Sequence, residues 1–348
     1  MTLTELSFYS RKALPYVGVI FLLLLILVLF VRLIFLAFEK PTSLLMYTNP
    51  IFGKIGKPVV KNASSSAGLT FRLDTIEGQP TTATLAGNVY FIPPTSARFG
   101  YREKIYLMAK SFGFDTEIIK HKLIDKEATF KEDVQSLTID VTNFNFRYEY
   151  EFSKNPELFK ENIIPNIKEI EDKASNFLNS IGRYPEQLSQ GKRNLIYLFY
   201  NTSSRSITVL DSPIGANMVE VDFYRPDIEQ IPSVSSTYFN SQNYVMLVFK
   251  KDIYKVVKAQ INFFDISDGQ IGIYPYKSGD KAWEDLRNGR AIIVSNPSGI
   301  RNIVIKKMFL GYMDSETYQE YFQPVYVFLG LNNFIAYVPA VSDEYLIE

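Results

Sequence analysis

An uncharged apolar run near the start of this chain of 348 residues constrains what it can fold into. Residues 13–31 carry no charged side chain, and after Arg32 the apolar run resumes from Leu33 to Phe38. At ~1.5 Å of rise per residue, a helix from Leu14 to Phe38 is long enough to cross a hydrocarbon core ~30 Å thick with some tilt. The sequence therefore predicts a transmembrane helix over 13–38.

We expect this helix to be a retained anchor and not a cleaved signal. A secretory signal has an apolar stretch of ~7–15 residues followed by a small-residue cleavage site, and the segment from Leu36 to Pro41 offers no Ala-x-Ala. Basic residues flank both ends of the run, so charge alone does not orient it. Because long domains translocate largely regardless of charge, we expect a cytoplasmic tail over 1–12 and an extracytoplasmic C-terminal domain.

Composition excludes several classes of function. Lys plus Arg and Asp plus Glu each number 37, so the formal net charge is zero and gives no broad attraction for nucleic acid. The chain has no cysteine, which excludes disulfides, thiolate metal sites and a cysteine nucleophile. For an exported protein, this composition favours a bacterial cell envelope.

Patterning after the anchor predicts a stalk and then a first module of helix and sheet. Residues 39–68 are rich in Pro, Gly, Ser and Lys without apolar periodicity, which is typical of a linker. Residues 69–152 form the predicted first α+β module. Its expected elements are strands at Leu69–Leu73 and Asn88–Ile92, a helix from Tyr101 to Phe112 that Gly113 ends, and a hairpin of residues 137–141 with 144–150.

Residues 153–276 predict a helix followed by a β-rich middle region. Asn155-Pro156 opens an apolar stripe that continues to Ile181, and Pro165 should kink or split this helix. Several alternating strands follow. Asp268-Gly269 lies between two apolar runs and predicts a two-residue hairpin.

Residues 277–348 predict a C-terminal α+β module. Its expected elements are a helix from Asp280 to Asn288 that Gly289 ends, strands at 291–294 and 303–312, a helical turn capped by Asp314 that stops at Gln323, and a hairpin of residues 325–329 with 334–338. The predicted fold class is therefore α+β: an N-terminal transmembrane helix and two modules of helix plus antiparallel sheet with a β-rich middle.

Residue types that carry chemistry are sparse, and none forms a specific motif. His121 is the only histidine and lies between two lysines, as expected of a solvated surface residue. Ser278 and Lys281 match Ser-x-x-Lys of penicillin-binding enzymes, but the companion motifs are out of order and helix capping explains Ser278 or Asp280. The acidic pairs that lack a calcium-loop pattern and fit solvated turns are Asp125/Glu127, Glu132/Asp133 and Asp265/Asp268. We therefore predict no catalytic, cofactor-binding or metal residue. Glycosidase-type carboxylates stay open because their spacing is spatial.

The C-terminal stretch resembles the YycI and YycH group and, more loosely, PepSY-type modules. The residues that carry the resemblance, over about 60 residues from Ser278 to Val341, are Lys281–Leu286 with Gly289, Leu310-Gly311-Tyr312, Gln323–Phe328 and Ala336–Ala340. A fainter echo runs from Tyr101 to Tyr150. The chain departs from the family at Val341-Ser342-Asp343, where a glycine usually follows the final alanine.

This resemblance implies a single-pass envelope protein that regulates without catalysis. Its expected partner is another envelope protein or peptide, and the family implies a sensor histidine kinase of cell-wall control. Two alternatives stay open: an envelope hydrolase that uses carboxylates in a groove, and a structural spacer. No cofactor is expected.

If the resemblance places Trp283 in the core of the C-terminal module, Trp283→Ala should leave a cavity and destabilise the outer domain by ~3–5 kcal/mol. The loss should be one of stability, without a selective loss of function. Chemical or thermal unfolding measures it, and an unchanged melting curve would refute the core position.

Overall fold

The computed structural model describes residues 20–32, 47–61, 63–81, 84–251 and 253–347. They fall in two units, Met1–Met46 and Tyr47–Glu348. In the first unit, residues 20–32 are helical (α1), and the predicted tail and the other residues of the predicted transmembrane helix lie outside the described ranges. Among the helices described, none has both the length and the apolar character needed to cross a membrane.

The second unit is a mixed α+β structure in which sheet predominates. Its α-helices are α2 (Tyr101–Ser111), α3 (Ile167–Ser180), α4 (Glu186–Ser189) and α5 (Gly279–Arg287), and its 3-10 helices are Phe152–Lys154, Pro156–Phe159 and Asp343–Tyr345. Its strands are β1 (Ile55–Gly56), β2 (Ser64–Ser65), β3 (Thr70–Leu73), β4 (Ala86–Phe91), β5 (Lys122–Ile124), β6 (Glu127–Lys131), β7 (Gln135–Asp140), β8 (Phe146–Tyr150), β9 (Arg193–Asn201), β10 (Ser206–Leu210), β11 (Met218–Phe223), β12 (Ser233–Ser235), β13 (Tyr244–Phe249), β14 (Tyr254–Ile261), β15 (Ile271–Pro275), β16 (Ile292–Ser295), β17 (Asn302–Asp314), β18 (Tyr321–Phe322), β19 (Pro324–Gly330), β20 (Ile335–Pro339) and β21 (Leu346–Ile347).

The larger sheet has nine strands within the described residues, all antiparallel, in the order β10-β9-β11-β13-β14-β8-β7-β6-β5. One face is apolar because alternate residues of the strands, such as Phe146 and Tyr148 of β8, point to it. The apolar stripes of α2 and α3 contribute Ile105, Ile170 and Phe177 to the same core. The opposite face, which we call the open face, has mixed polarity.

The second sheet follows the order β12-β17-β19-β20-β16-β2, with β3 also paired to β17. α5 covers one face through Ala282 and Leu286. Trp283 of the same helix is only partly buried and contacts the rings of Phe71 and Phe328 at centroid distances of 6.4 and 6.2 Å. The expected cost of Trp283→Ala therefore falls toward the lower end of the range given above.

Segments near residue 60 pair with strands near the C-terminus, which corrects the predicted stalk over 39–68. β1 pairs with β21, β2 pairs with β16, and Ser66 Oγ donates to the carbonyl of Leu286 at 2.7 Å. The described part of this segment, from Tyr47 onward, is thus built into the folded unit. Its low apolar periodicity reflects the shortness of these two-residue strands.

The sheets group strands across the module limits expected after residues 152 and 276. β3 pairs with β17, and β4 pairs with β15 and β18, although the sequence places β3 and β4 in the first module. β8, also in that module, pairs with β14 of the expected middle region.

Elements set by local chemistry agree with the sequence. α2 and α5 begin and end close to the predicted residues, Gly113 and Gly289 have positive φ, and the two predicted hairpins form as β7/β8 and β19/β20. Pro165 does split the second predicted helix: the 3-10 turn Pro156–Phe159 precedes it, and α3 starts after Asn166, whose side chain accepts from the backbone of Glu169.

Two predicted elements are wrong. Asp268-Gly269 does not join a hairpin, because β15 pairs with β4 and the backbone of Phe91 bonds to Ser267 and Gln270 on either side of the turn. Asp314 does not cap a helical turn. It ends β17, and Tyr321–Phe322 is strand β18 because it pairs with the edge of β4.

A buried ion pair joins the two large sheets. Arg225 follows β11, its side chain is 1% exposed, and its Nε and Nη2 both lie 3.1 Å from Oδ1 of Asp314. The same guanidinium donates to Gln187 at 2.9 Å and to the carbonyl of Phe264 at 2.6 Å. Burial raises the pKa of Asp314, and the charge of Arg225 opposes that rise.

Removing one partner of this pair should be far more costly than removing both. Arg225→Met leaves a buried carboxylate without its partner, so we expect a loss of ~3–5 kcal/mol in the free energy of unfolding. Arg225→Met with Asp314→Leu should cost less than the sum of the two single changes, measured by urea unfolding in a double-mutant cycle. Additive losses would show that the pair contributes nothing as a pair.

Candidate functional site

The residues that the sequence singled out are not brought together. His121 is half-buried, not fully solvated: its Nδ1 lies 3.2 Å from the hydroxyl of Tyr106, and burial lowers its pKa. Ser278 caps α5 by accepting from the backbone of Lys281 at 3.2 Å, while Lys281 Nζ pairs with Glu284. Among the residues described, no group of three or more His, Asp or Glu side chains is placed to hold a metal ion.

Strand register brings a different set together on the open face. Lys131 of β6, Ser136 of β7, Glu149 of β8 and Lys258 of β14 occupy directly paired positions. Directly paired residues lie on one face, and neighbouring strands are ~4.8 Å apart, so these four side chains form a row across the sheet. We call it the polar row.

The polar row is part of a groove of about 510 Å³ on the open face. The β6–β7 turn forms one wall, and the β9–β10 hairpin forms the other through Arg205 and Ile207. The rings of Phe152 and Tyr200 pack edge to face at 4.9 Å in its floor and are almost fully buried.

Hydrogen bonds fix the wall formed by the β6–β7 turn. Gln135 accepts from the hydroxyl of Tyr148 at 2.9 Å and donates to Glu132 at 2.7 Å. Lys154 Nζ bonds to the carbonyl of Asp133 at 3.1 Å and pairs with Glu151 at 2.7 Å. The shape of the groove is therefore set before anything binds.

Both signs of charge alternate along the groove. Lys258 Nζ lies 4.0 Å from a carboxylate oxygen of Glu149, and both side chains keep substantial exposure. Opposite charges this close together can hold charged groups of both signs on a bound segment. The arrangement is suited to holding a segment that has charged side chains of both signs.

Two neighbouring carboxyl groups, those of Glu220 and Asp222, lie on the same face, away from the groove. Glu220 continues the polar row on β11, and Asp222 is two residues further along that strand. Asp222 is fully buried; its Oδ2 accepts from the backbone of Ser241 at 3.1 Å and from the hydroxyl of Tyr224 at 3.2 Å. Burial, and then the charge of Glu220, raises the pKa of Asp222 to about 7.

Sequence reasoning missed both the groove and this pair. The groove depends on register between strands that are far apart in the chain, which composition does not encode. The pair did leave a signal: Glu220 and Asp222 alternate within Met218–Phe223, where the other positions are apolar, and buried carboxyls in such a strand need partners.

Neither the family models nor the curated proteins contain a match to this chain. Among solved structures, an uncharacterized protein from Eubacterium rectale ATCC 33656 shares 12% sequence identity, with a TM-score of 0.37, over 82% of this chain and 90% of that one. A likeness this distant carries no functional argument, so the site is interpreted from its own residues.

The Asp222 carboxyl should make stability depend on pH. An unfolded Asp ionises near pH 4, but the folded protein keeps this proton until about pH 7, so the unfolded state loses protons first. The free energy of unfolding should fall as pH rises from about 4 to 7, by up to ~1.4 kcal/mol per pH unit, and then level off. Asp222→Asn should reduce this fall without abolishing it, because burial also raises the pKa of Glu220 and of Asp314; urea unfolding across the range measures the change.

Glu220→Gln tests whether the charge of Glu220 contributes to the raised pKa of Asp222. Because the charge of Glu220 adds to the rise in the pKa of Asp222, its removal should move the pH window downward. The same pH slope in the wild type and in Asp222→Asn would show that Asp222 is not the group that titrates.

Proposed function

We propose that this chain is a non-catalytic, single-pass membrane protein whose extracytoplasmic domain binds an extended segment of another envelope protein in the groove of the open face. The observation that carries the proposal is the polar row, in which Lys131, Glu149 and Lys258 present alternating charge above an aromatic floor. The anchor is the apolar segment 13–38, which is uncharged except for Arg32 and within which residues 20–32 are helical.

The partner is a protein with an exposed extended stretch that carries both acidic and basic side chains. A preformed groove reduces the ordering cost of binding to that of the incoming segment. The resemblance to the YycI and YycH group makes a sensor histidine kinase of cell-wall control the first partner to examine.

Burial of Asp222 supports binding over the hydrolase alternative. A general acid must touch its substrate, and Asp222 has no exposed surface while its Oδ2 is held by Ser241 and Tyr224. Of the acidic residues that line the groove, Glu149 and Glu151 face lysines, whereas Glu132 accepts from Gln135. The spacer alternative differs from our proposal in that a spacer has no defined partner.

Affinity capture of the tagged full-length chain from detergent-solubilised membranes of its native host tests the proposal. The wild type should be recovered in the membrane fraction together with a defined envelope protein. Lys258→Glu places a third carboxylate beside Glu149 and Glu220, so recovery of that partner should fall at least ten-fold because the charge pattern is reversed.

Lys168→Glu is the matched control. It makes the same charge change in the first turn of α3, a helix that packs on the opposite face of the sheet. A carboxylate at this position interacts favourably with the helix dipole, so the variant should fold. It should retrieve the partner as the wild type does. Groove binding would be contradicted if Lys258→Glu retrieved the partner as well as the wild type does, or if the wild type retrieved no partner. The anchor would be contradicted if the chain were recovered from the soluble fraction without detergent.

A further inference from the structure

β10 forms one edge of the nine-stranded sheet, and within the described residues it pairs only with β9. Ile207 is 45% exposed and Val209 is 67% exposed. Both lie on the open face, because their direct partners in β9 are Tyr200 and Leu198. The outer side of this strand thus presents unpaired backbone groups beside exposed β-branched side chains.

Proteins usually protect such an edge with a charge, a proline or a bulge. β10 reads Ser-Ile-Thr-Val-Leu and contains none of these, and its pairing with β9 is regular over all five residues. The opposite edge of the sheet differs in that β5 has three residues and starts with Lys122. An unprotected edge on only one side indicates that another strand pairs there.

The residues around β10 are complementary to themselves. In an antiparallel pair of two copies centred on Thr208, Ile207 of one copy faces Val209 of the other. Arg205 lies in the turn before β10 with a positive φ, and its long side chain extends toward Asp211 of the other copy. Arg205 and Asp211 are exposed and flank the strand on either side. A two-fold axis repeats each contact, so the arrangement gains two apolar pairs and two opposite-charge pairs.

We propose that two copies of this chain pair through β10, antiparallel and centred on Thr208, so that their nine-stranded sheets join into one. The inference goes beyond the proposed function, since it concerns strand pairing at the sheet edge, although Arg205 and Ile207 also line the groove. A five-residue strand pair buries less than the ~1,200 Å² of a standard interface, so the dimer should be weak and dependent on concentration.

Cysteine cross-linking tests the register directly, because the chain has no native cysteine. Two directly opposed residues of an antiparallel pair have Cα atoms ~4.5–5.5 Å apart, within the range of a disulfide. The test variant is full-length Thr208→Cys, oxidised in the cell fraction in which the chain is recovered. It should form a disulfide-linked dimer, seen on a non-reducing gel, at least ten-fold faster than the control variant Ile124→Cys. Ile124 is 57% exposed on β5 at the other edge.

Two further variants make the test specific. The two copies of Val209 are offset by ~7 Å along the strands in addition to the strand spacing, so Val209→Cys should cross-link no faster than the control. In the Thr208→Cys background, Arg205→Asp should slow cross-linking several-fold, and adding Asp211→Arg should restore it.

Equal rates at Thr208 and Ile124 would overturn the dimer, and faster cross-linking at Val209 would overturn the register. Failure of the double charge exchange to restore the rate would overturn the Arg205–Asp211 contact. Thr208 and Ile124 lie outside the residues that line the groove, so the comparison of their cross-linking rates is independent of partner capture through it.

Discussion

A fully buried guanidinium between two sheets is the constraint on which this structure depends. Arg225 leaves the end of β11 and reaches Asp314 at the end of β17, while the rings of Phe263 and Phe322 lie against its faces at 4.0 and 4.9 Å. Because loss of either partner leaves an unpaired buried charge, the packing of the two sheets depends on this contact. The contact extends toward the open face, since Gln242, just before β13, donates to the carbonyl of Asp314 at 3.2 Å.

The two faces of the nine-stranded sheet show how one backbone can serve two environments. Alternation along β8 sends Phe146 and Tyr148 toward the helices and Arg147 and Glu149 toward the open face. The helix-covered face is defined by packing alone. The open face combines a groove of mixed charge, in which Lys258 lies beside Glu149, with a carboxyl, Asp222, whose pKa is raised to about 7 by burial.

The elements that could be predicted from sequence are those whose causes are local. A cap such as Ser278, a left-handed glycine such as Gly113 and a proline such as Pro165 act within one turn, so their effects could be predicted directly. The errors at Asp268-Gly269 and Asp314 have a shared cause. The residues near each site favour a turn, but the strands that follow pair with β4: β15 on one edge and β18 on the other.

The groove could not be predicted from the sequence because it, too, depends on pairing between strands that are far apart in the chain. Lys131 and Lys258 are 127 positions apart in the sequence, and only the register of four strands places them in one row. The α+β class could be predicted from the alternation of helical and strand patterns. The grouping of strands into sheets could not, because β3 and β4 carry nothing in their own residues that identifies partners more than 150 positions away.

The pairing of early strands with late ones has a consequence for how the chain is made. β3 pairs with β17, which lies 232 positions later in the sequence, and β1 pairs with β21 near the C-terminus. During synthesis from the N-terminus, these first strands therefore have no native neighbour until almost the whole chain has emerged, and such non-local pairing folds slowly. The strands β1 to β4 therefore stay without their native neighbours until β15 to β21 have been synthesised.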